Sequence, residues 1–414
     1  MTTSNDRAYV WVWLPGKTEP VAAGLLQHEQ GGYRFLYGRR YLERDDAISL
    51  FPDELPLRRG AQRLAGGTLP SVLRDAAPDA WGRRVIINRL TGRSGADADL
   101  VTLDDLTFML ESGSDRIGAL DFQASAEHYE SRGELGASLE DLMEAAESVD
   151  RGKPLPTALA QALQHGTSIG GARPKALIGD NARKQVAKFS ASNDLYSVVK
   201  TEFVAMRLAH LAGLDVANVE LRYVMGRDVL LVERFDRRLS RQGWLRYAMV
   251  SALTLLGLDE MTARYASYED LAHQVRARFT EPRATLHELF KRMVFNVLCG
   301  NTDDHARNHA AFWDGKTFTL TPAYDICPQS RVGGIASQAM RLVSDDNSSQ
   351  LRTCLAAAPA FHLETGQARE LIDRMIQTLE SQWDAVCDDA QLPFVDRQYL
   401  WGRQFLNPFS LEGY

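Results

Sequence analysis

The chain has 414 residues, 45% of them apolar, and its 54 acidic and 47 basic side chains leave a net charge of −7. That length and apolar content are enough for roughly two to three domains with cores of their own. A negative chain excludes a nucleic-acid surface built from the whole molecule, so DNA contact would need a partner or a local patch such as Arg39-Arg40 or Arg237-Arg238. Such pairs are more often solvated faces. The longest apolar run, about residues 248–258, is broken by Ser251, Thr254 and Gly257 and is too short to span a bilayer. No amino-terminal apolar segment of signal type is present, so the expected location is cytoplasmic, without membrane association. Cys299, Cys327, Cys354 and Cys387 are scattered without CxxC spacing, which implies neither a disulfide framework nor a zinc knuckle.

In chain order, residues 9–14 alternate as a strand, turn-rich strands follow, and a helix is expected around 71–90. A polar, acidic stretch over about 124–157 holds a short helix at 139–145 and ends at Pro154 and Pro156. Residues 166–175 then form a short glycine-rich loop with Gly166, Gly170 and Gly171, and 186–189 read as a strand carrying Lys188. Backbone N–H groups of such a loop can cradle phosphates, and a strand lysine can reach them as a point charge. The loop is not of the Walker type, because no Gly-Lys-Ser/Thr opens a helix. Only a hairpin fits between Lys175 and Lys188.

The next helix, 198–212, carries Glu202 at the edge of its apolar face, where it can turn toward Lys188. A strand lysine paired with a helix glutamate positions the lysine on nucleotide phosphates in kinases. Strands at 216–224 and 229–235 follow, and the second ends in Glu233, Arg234 and Phe235. Backbone groups there suit a hinge facing an adenine.

The densest chemistry lies in residues 295–325. Leu286, Leu289, Phe290, Met293, Val294, Val297 and Leu298 recur at helical spacing, so a buried helix ends at Gly300-Asn301. A polar loop with Asp303, Asp304, His305, Asn308 and His309 comes next. Residues 311–320 then read as a hairpin about Asp314-Gly315, which returns Asp325 toward Asn308. One carboxylate can orient a hydroxyl nucleophile while an amide and a second carboxylate hold magnesium, the parts list of phosphoryl transfer. Two other readings stay open on these residues. One is a solvated turn, and the other is a hydrolytic zinc or manganese centre built from Asp303, Asp304, His305 and His309. Further helices are expected at 269–277 and 370–387. The glycines at 333 and 334 mark a mobile segment beside which a protein substrate would dock.

Taken together, Ser168 to Lys175, Val186 to Lys188, Thr201 to Met206, Leu231 to Asp236, Asn301 to Asn308 and Leu320 to Asp325 resemble the HipA family, the serine/threonine-kinase toxins of bacterial type II toxin–antitoxin systems. Pro78, Asp79, Trp81, Gly82 and Arg83 are similar to that family's amino-terminal domain. The resemblance implies an α+β, two-lobed protein-kinase-like fold with a small β-rich lobe, a large helical lobe and an additional amino-terminal α+β domain. The expected divisions are 1–125, 126–236 and 237–414.

It further implies Asp303 as catalytic base, Asn308 and Asp325 as magnesium ligands and Lys188 as the ATP-phosphate lysine. Ile169, Gly170, Gly171, Ala172, Arg173, Pro174 and Lys175 would form the phosphate loop, Glu233, Arg234 and Phe235 would hold adenine, and His305 would help order the catalytic loop at the ATP site. Glu202 would be the ion-pair partner, and Ser168 the autophosphorylated serine whose new charge ejects the loop. The implied cofactors are ATP and Mg2+. The implied partners are a HipB-like helix-turn-helix antitoxin, operator DNA through that antitoxin only, and a protein substrate such as an aminoacyl-tRNA synthetase. A kinase-fold enzyme acting on a lipid or small molecule, or a catalytically silent binding module, are the alternatives.

Overall fold

The computed structural model describes residues 5–93, 103–132, 137–151, 153, 163, 173–179, 182–190, 194, 196–331 and 333–414. Two compact units emerge, one of residues 1–193, 222–249 and 313–316, the other of 194–221, 250–312 and 317–414. Ser168 to Ala172 lie outside the described residues.

In the first unit, β1 (Arg7–Val12), β2 (Val21–Glu29), β3 (Gly32–Tyr37) and β4 (Leu120–Gln123) form an antiparallel sheet in the order β3-β2-β1-β4. The helix expected at 71–90 is two helices, Ser71–Asp75 and Ala80–Thr91. Pro78 lies in the gap between them, and a proline denies its predecessor the helical region.

A second sheet of the same unit joins β5 (Lys175–Gly179), β6 (Lys184–Phe189), β7 (Val219–Val224) and β8 (Arg227–Glu233) in the order β5-β6-β8-β7. The strand side-chain period of two sorts its residues. Ala176, Ala187, Phe189, Val229 and Leu231 face a core with Trp81 and Val85, and with Leu142, Ala145, Ala146 and Val149 of the Leu139–Asp150 helix. The Trp81 indole also donates to the Lys175 carbonyl at 2.9 Å. The amino-terminal helix Ala80–Thr91 thus shares one core with the Lys188 strand. Each fully buried side chain of this size contributes about 1.5–3 kcal/mol.

After Glu233 the chain turns into a hairpin of β9 (Arg237–Ser240) and β10 (Gly243–Arg246), then β11 (Ala248–Ser251). The span from 237 onward, expected to be mostly helical, therefore opens with strands. Arg237 is also not part of a solvated pair: it is buried against Asp115 and Asp236, whereas Arg39 stands in solvent beside Glu43.

The second unit is built around the Pro282–Cys299 helix, whose Leu286, Leu289, Phe290, Val294, Val297 and Leu298 are wholly buried. Around it stand helices Val198–Leu211, Tyr268–Arg278, Leu351–Ala357 and Thr365–Asp389. Strand β11 pairs with β12 (Ala310–Trp313), which pairs with β13 (Phe318–Leu320), so the expected hairpin forms. All four cysteines are buried thiols, and no helix among the described residues is long and apolar enough to cross a membrane.

Candidate active site

The Pro282–Cys299 helix ends at Gly300, which adopts the left-handed conformation at φ 70°. A Cβ there would lie 2.7 Å from the Gln404 carbonyl oxygen, so glycine is required both for the backbone and for the space. Directly after this cap, the loop is tied from below. The Asn301 amide donates to Asn296 Oδ1 at 3.0 Å, and the Asn296 amide donates to the Tyr268 hydroxyl at 3.4 Å. The Tyr268 hydroxyl donates to Asp304 Oδ2, and His309 Nε2 lies 2.9 Å from Asp304 Oδ1 and 3.2 Å from that hydroxyl. Asp304, Tyr268 and His309 are all buried.

These contacts give Asp304 and His309 to each other and to Tyr268. A hydrolytic metal centre using both as ligands would have to dismantle this buried network. Sequence reasoning did not find Tyr268 or Asn296, whose part in the loop depends on packing between helices.

Above this floor, the His305 N–H donates to the Asp303 carbonyl at 2.9 Å, the Asn308 N–H donates to the His305 carbonyl at 2.8 Å, and the Asn308 side-chain amide donates to the Asp303 carbonyl at 3.3 Å. Asn308 is thereby buried and oriented, while the Asp303 side chain remains exposed. His305 Nδ1 is buried and finds no hydrogen-bond partner among the described residues.

The hairpin returns the chain to this place. Thr321 donates from both its N–H and its hydroxyl to the Ala310 carbonyl at 3.1 Å, and Arg292 of the central helix donates to the Thr321 carbonyl at 2.7 Å. Ala323 then bridges to the 215–217 segment, accepting from Ala217 and donating to Asp215, and the Tyr324 hydroxyl donates to the Arg307 carbonyl at 2.7 Å. Asp325 follows with φ 58°, a left-handed conformation that aspartate adopts more readily than bulkier residues. The Asp303 carboxyl is raised above its ordinary value by partial burial and further by the charges of Asp325 and Asp304, with His305 opposing.

Asn308 and Asp325 offer one amide and one carboxylate, hard oxygen donors that suit magnesium, an ion that keeps several waters and completes its shell with substrate phosphates. The repulsion between Asp303 and Asp325 is what a cation beside them would relieve. Among the described residues, no group of three His, Cys, Asp or Glu side chains is arranged to hold an ion. The segment after Asp325 runs back along the loop, with the Gln329 N–H on the Gly300 carbonyl and the Ala339 N–H on the Thr302 carbonyl.

In the first unit, Lys188 on β6 stands directly opposite Lys175 on β5 and opposite Leu230 on β8. Opposed residues of an antiparallel pair share a face, so both ammonium groups lie on the side of the sheet away from the Trp81 core. Glu233 ends β8 and pairs with Gln185, and the Arg234 N–H donates to the Lys184 carbonyl. The Arg234 side chain is turned into a buried ionic cluster with Asp115, Asp236 and Arg237. Arg173 and Pro174 lead into β5. Glu202 is buried on the Val198–Leu211 helix of the second unit.

Two family models match the chain, the HipA N-terminal domain over residues 12–123 and the HipA-like C-terminal domain over residues 167–383. The putative kinase Y4mE of Sinorhizobium fredii is 27% identical over 339 residues, covering 76% of each chain. The serine/threonine-protein kinase toxin HipA of Shewanella oneidensis is 26% identical over 207 residues, 43% of this chain and 47% of that protein. Among solved structures, Shewanella oneidensis HipA in complex with HipB and its operator DNA matches with a TM-score of 0.66 at 19% identity, over 95% of this chain and 93% of that one. The shared fold is α+β and two-lobed in the manner of protein kinases, with a β-rich lobe, a helical lobe and an additional amino-terminal domain. With both of that family's domains matched in order along its length, the chain belongs to the HipA family.

Proposed function

We propose that the chain is an ATP- and magnesium-dependent serine/threonine-protein kinase and the toxin of a type II toxin–antitoxin system. The observation that carries this reading is that the β12–β13 hairpin brings the segment ending in Tyr324 and Asp325 back to the Asp303 loop, where the Tyr324 hydroxyl donates to the Arg307 carbonyl. An exposed carboxylate next to a hard-oxygen pair is the arrangement phosphoryl transfer needs.

In this reading, Asp303 accepts the proton of the attacking serine or threonine hydroxyl, and its raised affinity for protons makes it a better base. Asn308, fixed by its bond to the Asp303 carbonyl, and Asp325 hold magnesium, which when bound neutralises charge on the nucleotide phosphates. Lys188 and Lys175 draw those phosphates to one face of the sheet, with residues 169–174 as the phosphate loop. Backbone groups of Glu233, Arg234 and Phe235 hold the adenine, and His305 orders the loop at the ATP site. Glu202 is proposed as the partner of Lys188, and Ser168 as the autophosphorylation site that switches the kinase off.

Kinase names among the relatives support the activity, and the relative seen with HipB and operator DNA supports a HipB-like helix-turn-helix antitoxin that brings this chain to DNA. An aminoacyl-tRNA synthetase in the cytoplasm is the proposed substrate class. The divisions 1–125, 126–236 and 237–414 remain the proposed functional domains.

The test is incubation of the full chain with ATP and magnesium, followed by mass spectrometry. Phosphate on Ser168 that is missing in Asp303→Gln is the expected result. No phosphate on any protein in the wild-type reaction, together with labelling of a lipid or small molecule, would overturn it.

A further inference from the structure

The amino-terminal domain carries a short loop, residues 115–118, between the Asp105–Glu111 helix and β4. Within the first unit, this loop and the chain just after β8 share a buried ionic cluster. Arg234 donates to Asp236 through Nε at 2.9 Å and Nη2 at 2.8 Å, to Asp115 Oδ1 through Nη1 at 3.0 Å, and to the Arg116 carbonyl through Nη2 at 2.6 Å. Arg237 donates to Asp115 Oδ1 through Nη2 at 2.9 Å, to Asp236 Oδ2 through Nη1 at 2.9 Å, and to the Gly118 carbonyl at 2.8 Å. The Gly118 N–H closes the set on Asp236 Oδ2 at 2.7 Å. Two carboxylates thus face two guanidiniums, with the Lys184 ammonium 3.7 Å from Asp115 as a third cation, and both arginines are nearly out of solvent.

Buried ion pairs seldom stabilise a fold more than apolar packing of the same volume would. Joining the amino-terminal domain to the β5–β8 sheet does not need them either, since Trp81 and Val85 already share its core. What charge adds is geometry. An apolar contact slides at little cost, whereas a guanidinium fork locked onto two carboxylates and two carbonyls holds its own backbone in one place. The backbone so held is 234–237, with the Arg234 N–H also on Lys184 and the Tyr247 N–H on the Asp236 carbonyl.

We infer that Asp115, together with Arg234, Asp236 and Arg237, is a positioning residue of the nucleotide site, by which the amino-terminal domain fixes the main chain that holds the adenine. This inference rests on the kinase reading above. The protonation states agree with it: burial pushes the Asp115 and Asp236 carboxyls up, but Arg234 and Arg237 hold both below their ordinary range, so the charges persist across the working pH range.

The test uses the full chain with Asp115→Asn, and with Arg246→Gln as a milder variant, since half-buried Arg246 anchors the Ser114 carbonyl at 2.8 Å. KM for ATP, kcat at saturating ATP and the preference for ATP over GTP are measured beside thermal unfolding. In Asp115→Asn, KM for ATP is expected to rise about tenfold and the base preference to fall similarly, with kcat changed less than about threefold. Arg246→Gln should shift KM and base preference in the same direction by less. Unchanged KM and unchanged base preference in whichever variant folds would overturn the inference, as would loss of kcat alone in step with the folded fraction. A wild-type chain that neither binds ATP nor transfers phosphate would instead overturn the kinase reading, and this inference with it.

Discussion

The chain after β8 and the loop around Asp303 are both held by buried polar networks, but of opposite kinds. Beneath the Asp303 loop, the network is a phenol, an imidazole, two carboxamides and one carboxylate, with no arginine or lysine hydrogen-bonded into it among the described residues. Around Arg234, the network is built of formal charges, two carboxylates among two guanidiniums and the Lys184 ammonium. An arginine under Asp303 would depress its carboxyl and blunt it as a base, whereas Asp304 and Asp325 raise it. The segment after β8 contributes only main chain in the proposed function, so strong charges can fix it without disturbing a reacting group.

The largest effect that tests this comparison is chemical. Asp303→Gln is expected to lower phosphoryl transfer by about 10²–10⁴-fold. Its midpoint in thermal unfolding should not fall, since the wild-type carboxylate sits under unfavourable burial and repulsion. A parallel loss of stability would mean that Asp303 is a structural residue.

Next in size is Arg234→Met, which leaves Asp115 and Asp236 short of a partner and should cost about 3–5 kcal/mol in urea unfolding. A loss below about 1 kcal/mol would show that the cluster is not buried in solution. The same carboxylates predict an acid dependence. Groups with depressed folded-state values stabilise fully above their unfolded value, and that stability is lost as pH falls through the folded one. Unfolding free energy should therefore drop as pH falls below about 4, with a shallower slope in Asp236→Asn, measured by urea titration at each pH.

Tyr268→Phe is expected to cost about 1–3 kcal/mol by leaving Asp304 and His309 without the hydroxyl. It should lower kcat while KM for ATP stays unchanged, the reverse of the pattern expected for Asp115→Asn. Equal effects on both constants would erase the distinction between the two networks. The smallest expected effect is at Arg39→Ala, where an exposed pair with Glu43 contributes less than about 0.5 kcal/mol.

Much of the proposed catalytic side was legible in the residues. The apolar spacing of 286–298, the glycine stop and the Asp314-Gly315 turn each act over a few residues, so the Pro282–Cys299 helix, its Gly300 cap and the hairpin could be read locally. The Arg234 cluster could not. Its acidic partner Asp115 is 119 residues away, and an arginine buried among carboxylates looks in sequence like any charged surface pair. Arg237 was read as solvent-facing for the same reason. The short strands β9 and β10 were missed because a four-residue hairpin rich in arginine carries little apolar alternation.

By itself, the order of residues determined the helix, the cap and the turn that present the Asp303 loop, because caps, periodicity and turn preference act within a few bonds. Only the tertiary structure decided that Tyr268 and His309 lie under Asp304, and that Asp115 lies against Arg234 and Arg237. Burial and pairing of polar groups depend on which distant segments exclude water together, and that is a property of packing.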